Sequence, residues 1–194
     1  MREEPGTLRA RKKVATRQAL HDAALRLAMA NGLDCVTVEH IADEAGVSRR
    51  TFSNYFANKE DAVLHADRER TRQLLDLVAG QPADELAWEA LRHAVQELHQ
   101  SRPAPDRAWV EQFRLLRKHP SLMAGQAADQ IAFERDLAET LQARDPDLSR
   151  ELAKLTAATF LAILRTAGAL WFEQSGRTPL PDLLNRLLDR VHLT

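Results

Sequence analysis

Residues 36–60 decide the fold, and they read VTVEHIADEAGVSRRTFSNYFANKE. Thr37 stands where its hydroxyl can cap a short helix that buries Ile41. Gly46 then takes a sharp turn, because a side chain at that position would resist a positive φ. Ser48 is placed to cap the next helix. Two short helices joined by a tight corner predict a helix-turn-helix.

The second helix of this pair separates apolar from polar side chains. Phe52 and Phe56 are four residues apart, so they face inward together. The opposite face then carries guanidinium, hydroxyl and amide groups, which form the hydrogen bonds that read base edges in a major groove. We therefore expect base contacts from Arg49, Arg50, Ser53 and Asn54.

A basic segment precedes the motif on a chain whose net charge is −1. Five basic residues within 9–17 follow one another with no acid between them. Contacts to DNA phosphates fix the register of a protein without specifying sequence. We expect them from Arg9, Arg11, Lys12, Lys13 and Arg17 in the segment, and from Thr37, Ser48, Thr51, Tyr55 and Lys59 around the corner. The alternative is that the basic run is only a solvated helix end.

Apolar residues recur at three- and four-residue spacing almost throughout the chain, which predicts an all-α protein. Gly and Pro divide it into nine helices. We predict a disordered tail over 1–8, a helix-turn-helix domain over 9–65 and a helical bundle over 66–194. The predicted helices are 8–30, 38–45, 49–56, 59–80, 83–100, 106–118, 121–143, 148–174 and 180–192.

The last two predicted helices offer a surface for pairing with a second copy. The eighth combines small residues with large apolar ones, and the ninth has a leucine stripe too wide for one small helix to hide. The expected interface comprises Leu164, Gly168, Phe172, Leu183, Leu187 and Val191. The alternative is that these residues belong to the core of one protomer.

Other functional classes find little support in the sequence. No Gly-rich phosphate loop or metal-ligand spacing is present, so we expect no catalytic residues, metal or cofactor. The single cysteine excludes an internal disulfide and fits a reducing cytoplasm. No apolar run reaches the length of about 20 residues that spans a bilayer. We expect a cytoplasmic protein without a membrane partner.

The run from Gly46 to Glu60 resembles the signature of the TetR/AcrR family of bacterial regulators. The resemblance covers about residues 10–65 and departs from the family at Ser53 and Asn54, which leaves the bases that are read undefined. The matching positions are Gly46, Val47, Thr51, Tyr55, Phe56 and Lys59.

The resemblance implies a nine-helix fold, a homodimer formed by helices eight and nine, and a double-stranded DNA operator. It also implies a small effector that binds the C-terminal bundle and releases the DNA. We expect an apolar or acyl-type effector in a pocket lined by Trp88, Trp109, Phe113, Phe133, Phe160 and Trp171. The alternative is that these aromatic side chains are ordinary core. Two alternatives stay open: a DNA-binding protein without a ligand, and an all-helical enzyme with a similar corner.

Overall fold

The computed structural model describes residues 5–101 and 107–191. These residues form nine α-helices and a 3-10 turn at Leu33–Cys35, which confirms the predicted all-α class. The helices are α1 (Pro5–Asn31), α2 (Val38–Glu44), α3 (Arg49–Ser53), α4 (Lys59–Gly80), α5 (Ala87–Gln100), α6 (Arg107–Lys118), α7 (Pro120–Arg144), α8 (Arg150–Glu173) and α9 (Leu180–Leu188).

Several helix ends differ from the sequence prediction. α1 is described from Pro5 onward, so residues 5–8 are helical where the sequence analysis predicted a disordered tail. Residues 1–4 lie outside the described residues. α5 begins at Ala87 rather than 83, and α9 ends at Leu188 rather than 192, where the backbone continues in tight turns.

The described chain divides into two compact units. The first comprises Met1–Asp67 together with Arg114–Gly125, as far as these residues are described. Its core is formed by α1 to α4 and the corner between α6 and α7. The principal buried side chains are Leu20, Leu33, Ile41, Phe52, Phe56, Leu64, Leu115, Leu116 and Leu122.

The first unit therefore includes a segment that the sequence analysis assigned to the second domain. Leu115 and Leu116 at the end of α6 and Leu122 at the start of α7 are buried in its core. Gly125 lies so close to α4 that a Cβ on it would come within 2.8 Å of Leu64 Cδ1. This packing is the physical reason for the difference.

The second unit comprises Arg68–Phe113 and Gln126–Thr194, as far as these residues are described. α8 packs against α9, and both pack against α5. The indole of Trp88 meets the ring of Phe160 edge to face, with centroids 6.4 Å apart. Its core is almost entirely apolar and includes Trp88, Leu91, Phe133, Leu137, Phe160, Trp171, Leu183, Leu184 and Leu188.

Candidate nucleic-acid interface

Two hydroxyl groups cap the helices of the corner. Thr37 Oγ1 accepts the backbone N–H of His40 at 3.2 Å, and Ser48 Oγ accepts the backbone N–H of Thr51 at 3.0 Å. Between the two helices Gly46 has a φ of 68°, a left-handed conformation that glycine adopts without strain. The caps and the turn that the sequence predicts are confirmed.

α3 presents one apolar and one polar face. Phe52 is 1% exposed and Phe56 is 7% exposed, and their ring centroids lie 5.8 Å apart in the core of the first unit. This confirms that the two phenylalanines face inward. The exposed side chains are Arg49, Arg50, Ser53 and Asn54. Their contact with bases stays a prediction.

α3 is shorter than the predicted 49–56, since it ends at Ser53. The chain continues in a turn in which the N–H groups of Tyr55 and Phe56 both donate to the carbonyl oxygen of Phe52, at 2.8 and 3.0 Å. These two bonds keep Phe56 one turn from Phe52, so the apolar face extends beyond the helix itself.

Arg49 has an acidic neighbour that the sequence analysis missed. Its Nη1 lies 2.8 Å from Oε1 of Glu39, in the first turn of α2. The hydroxyl of Ser53 donates to the carbonyl oxygen of Arg49 at 3.3 Å. No local sequence pattern predicts this ion pair, because it depends on how α2 and α3 cross.

The basic segment of α1 and the polar side of α3 line one open groove of about 690 Å³. Cationic and hydrogen-bonding side chains that line a common groove can hold a phosphodiester backbone. The lining residues are Arg9, Ala10, Lys12, Lys13 and Thr16 from α1, with Thr51, Asn54 and Tyr55 from α3 and the turn after it. The structure thus brings together six of the predicted DNA contacts.

Arg17 lies over the ring of Tyr55, with its guanidinium carbon 5.8 Å from the ring centroid. This distance is within the range of a cation–π contact. Arg11 is exposed near the same end of α1. Phosphate contacts by Arg11, Arg17 and Tyr55, and by Thr37 and Ser48, stay predictions.

Lys59 has two partners that the sequence analysis missed. Its Nζ donates to the carbonyl oxygens of Leu33 and Val36, at 2.8 and 3.0 Å, and the contact is partly buried. The ammonium group therefore ties the start of α4 to the loop before α2. Two of its three donors are engaged in this way, and a phosphate contact through the third stays a prediction.

The predicted pocket residues fall into three groups. Phe113 is partly exposed and its ring centroid lies 5.1 Å from that of Phe172. The side chain of Trp109 lies outside the described residues. The remaining four are buried in the core of the second unit: Trp88, Phe133, Phe160 and Trp171. Whether they also contact a ligand stays a prediction.

The predicted dimer residues include one correction. Leu183 is 3% exposed and packs in the core of its own protomer, so it does not offer a surface to a second copy. Its side chain lies on the inner face of α9, as does that of Leu184, which is 2% exposed. The other five stay partly exposed: Leu164, Gly168, Phe172, Leu187 and Val191.

Among the described residues, no group of three or more His, Cys, Asp or Glu side chains is arranged to hold a metal ion. By length and composition alone, α8 could cross a bilayer; 39% of its most apolar 18-residue stretch is buried in the protein. A core helix of a globular protein meets the same two criteria, so this property alone does not indicate a membrane span.

Two family models match this chain, one in its N-terminal part and one in its C-terminal part. A family model described as "Bacterial regulatory proteins, tetR family" matches residues 20–66. A second model, described as "MftR C-terminal domain", matches residues 85–193, more than half of the chain. The HTH-type transcriptional regulator TcmR of Streptomyces glaucescens is 29% identical over 176 residues, which cover 87% of this chain and 77% of TcmR.

Solved structures show the same fold at low identity. A TetR-family regulator from Syntrophomonas wolfei has a TM-score of 0.64 at 16% identity, over 92% of this chain and 93% of its own. The fatty acid degradation regulator FadR from Bacillus halodurans has a TM-score of 0.59 at 19% identity, over 97% and 95%. A regulator from Aquifex aeolicus has a TM-score of 0.57 at 18% identity, over 90% and 96%.

Proposed function

We propose that this chain, which belongs to the TetR/AcrR family of transcriptional regulators, is a homodimeric repressor. In this proposal the dimer binds a palindromic operator and releases it when a small effector binds the second unit. Regulation of transcription through DNA binding comes with the family. The operator, the dimer, the effector and the sign of regulation are our proposals.

The phase of α3 is the observation that supports DNA reading most directly. Phe52 and Phe56 are buried, so the exposed Arg50, Ser53 and Asn54 on the other side of the segment face outward, where they could enter a groove. A helix-turn-helix inserts its second helix into the major groove through its N-terminal residues, which here are Arg49 and Arg50. The groove shared with α1 is placed to receive the flanking phosphates.

The apolar character of α8 supports the dimer. Only 39% of its most apolar 18-residue stretch is buried within one chain, and Leu164 and Phe172 of α8 are partly exposed. A second copy that packs against α8 and α9 would cover such a surface, as symmetric dimers do with a shared patch. Leu164, Phe172 and Leu187 would then lie in the interface. Two reading heads would contact half-sites about 34–36 Å apart, or a multiple of this distance.

The effector that we propose is a small apolar or acyl-type molecule. The aromatic interior of the second unit, where Trp88 meets Phe160, supports this choice. By linkage, an effector that releases DNA must bind the DNA-free form more tightly than the DNA-bound form. We also infer a cytoplasmic location and no enzymatic activity.

A second candidate function is DNA binding without an effector. The close packing of Trp88, Phe160 and Trp171, which are at most 3% exposed, favours it. A thermal-shift screen separates the two candidates, because a true effector raises the melting temperature in a concentration-dependent way. The alternative would be supported if no compound raised it.

Binding-site selection from random double-stranded DNA tests the central proposal. We expect a palindromic site that is bound by two protomers, counted by light scattering of the complex. Enrichment of no sequence, or of a single half-site bound by one protomer, would contradict the proposed dimeric reading. Release by compounds from the thermal-shift screen then tests the effector.

A further inference from the structure

Glu39 places a carboxylate beside the N-terminal end of the reading helix. Its Oε1 lies 2.8 Å from Nη1 of Arg49, the first residue of α3. The side chains remain 50% and 72% exposed, so the ion pair lies at the surface. This is the end of a recognition helix that approaches the bases most closely.

An exposed ion pair of this kind is weak and is easily exchanged for another partner. Arg49 can exchange Glu39 for a DNA phosphate or for the O6 and N7 acceptors of a guanine. The guanine contact is bidentate and directional, whereas a phosphate offers charge at almost every position along DNA. A carboxylate on the same guanidinium repels an anionic phosphate but not the neutral edge of a guanine, so it weakens the phosphate contact more than the guanine contact.

The carboxylate also acts on DNA directly. The exposed side chains of α3 itself are cationic or neutral, and the carboxylate beside them meets the phosphates of any duplex with like charge. Specificity is a difference between two affinities, and a repulsive group that penalises wrong partners increases that difference.

We propose that Glu39 is a specificity-determining residue that suppresses binding to non-operator DNA. It engages one N–H of Arg49 and repels phosphates that approach this guanidinium, whereas the neutral edge of a matching guanine meets no such repulsion. This inference rests on the proposed function, since it assumes that α3 reads DNA. It assigns to an acidic side chain a role in DNA recognition that the basic pattern alone does not indicate.

The test compares E39Q with E44Q. Glu44 ends α2 and forms a similar exposed ion pair at 3.0 Å, but its partner is Arg26 of α1 and not an arginine of α3. Both variants gain the same net charge. Fluorescence anisotropy measures binding to the selected operator and to a scrambled duplex, from about 50 to about 200 mM salt.

We expect E39Q to bind the scrambled duplex roughly three- to tenfold more tightly at the lower salt, and the operator with a smaller gain. One additional phosphate contact steepens the salt slope by about 0.9, which is roughly a 3.5-fold larger loss of affinity over this range. E44Q should match the wild type in both properties. Circular dichroism melting checks that the variants are folded.

A double variant tests the route through Arg49. In an R49Q background, the gain from E39Q should shrink, because the guanidinium that Glu39 engages is gone. If E39Q increased the affinity for the scrambled duplex equally in the R49Q background, Glu39 would act only by general repulsion of DNA. The proposed role of its contact with Arg49 would then be overturned.

Three further outcomes would overturn the inference. Equal gains for E39Q and E44Q would indicate net charge alone, and unchanged affinity of E39Q would show that Glu39 has no effect. A selective loss of operator binding by E39Q would make Glu39 a base contact instead. Wild-type protein that binds no DNA would reject the proposed function itself, a result distinct from all of these.

Discussion

The two compact units differ in what decides the position of their side chains. In the first unit, the corner is set by polar groups with defined partners: Thr37 and Ser48 accept backbone N–H groups, and Gly46 supplies a positive φ. In the second unit, Ser149 caps α8 in the same way and Gly176 has a positive φ, but apolar side chains define which face of each helix is buried. An apolar face can be covered by the protomer's own core, by a second copy or by a ligand, so its pattern does not name its partner.

α9 shows the consequence within one helix. Leu183 and Leu187 are four residues apart, a spacing that places them on one side of the helix. Leu183 is buried in the protomer, whereas Leu187 remains partly exposed. Polar geometry at the corner was predictable residue by residue, but the boundary between the inner and outer faces of α9 was not.

Substitution of Phe52, in the core beneath α3, should reduce stability more than any other change considered. Phe52→Ala removes a ring that is 1% exposed, and we expect it to lower the free energy of unfolding by about 3–5 kcal/mol. Urea denaturation followed by circular dichroism measures this. Val14→Ala is the matched control in the same unit, since Val14 is 70% exposed and its loss should change stability by less than about 0.5 kcal/mol. Similar values for both would contradict the burial of Phe52.

Leu183 and Leu187 of α9 should respond differently to substitution. Leu183→Ala should lower the free energy of unfolding by about 2–5 kcal/mol, because Leu183 fills the protomer core. Leu187→Glu should instead shift the dimer toward monomer, because it places a charge in the proposed interface. Analytical ultracentrifugation over a range of concentrations separates the two effects. A folded, undissociated Leu187→Glu dimer would place the interface elsewhere.

The limits of sequence reasoning follow from the same contrast. Caps, the glycine turn and the spacing of Phe52 and Phe56 act within a few residues, and the structure confirms them. The ion pair of Glu39 with Arg49 depends on the crossing of two helices. The ammonium of Lys59 bonds to carbonyls 26 and 23 residues away. Such contacts are set by tertiary packing, which no local pattern encodes.

Lys59 provides a test of one of these long-range contacts. Lys59→Met keeps the apolar stem but removes the donors to Leu33 and Val36, and we expect stability to fall by about 1.5–3 kcal/mol. Lys12→Met is the comparison, since Lys12 is exposed and lines the groove. It should flatten the salt slope of DNA binding by about 0.9 at nearly unchanged stability. A flattened slope for a stable Lys59→Met protein would support the phosphate role.

The smallest expected effect concerns reading itself. Arg50 is exposed at the start of α3, so Arg50→Ala should leave stability within about 0.5 kcal/mol of the wild type. It should weaken operator binding by about 1–3 kcal/mol and relax the preference at one base pair of each half-site. Anisotropy titrations against single-base variants of the operator measure both. Arg26→Ala, which removes an exposed arginine of α1 paired with Glu44, should change neither. Because Phe52 fixes the rotation of α3, normal operator binding by Arg50→Ala would mean that burial of the apolar face does not determine which side chains meet the bases.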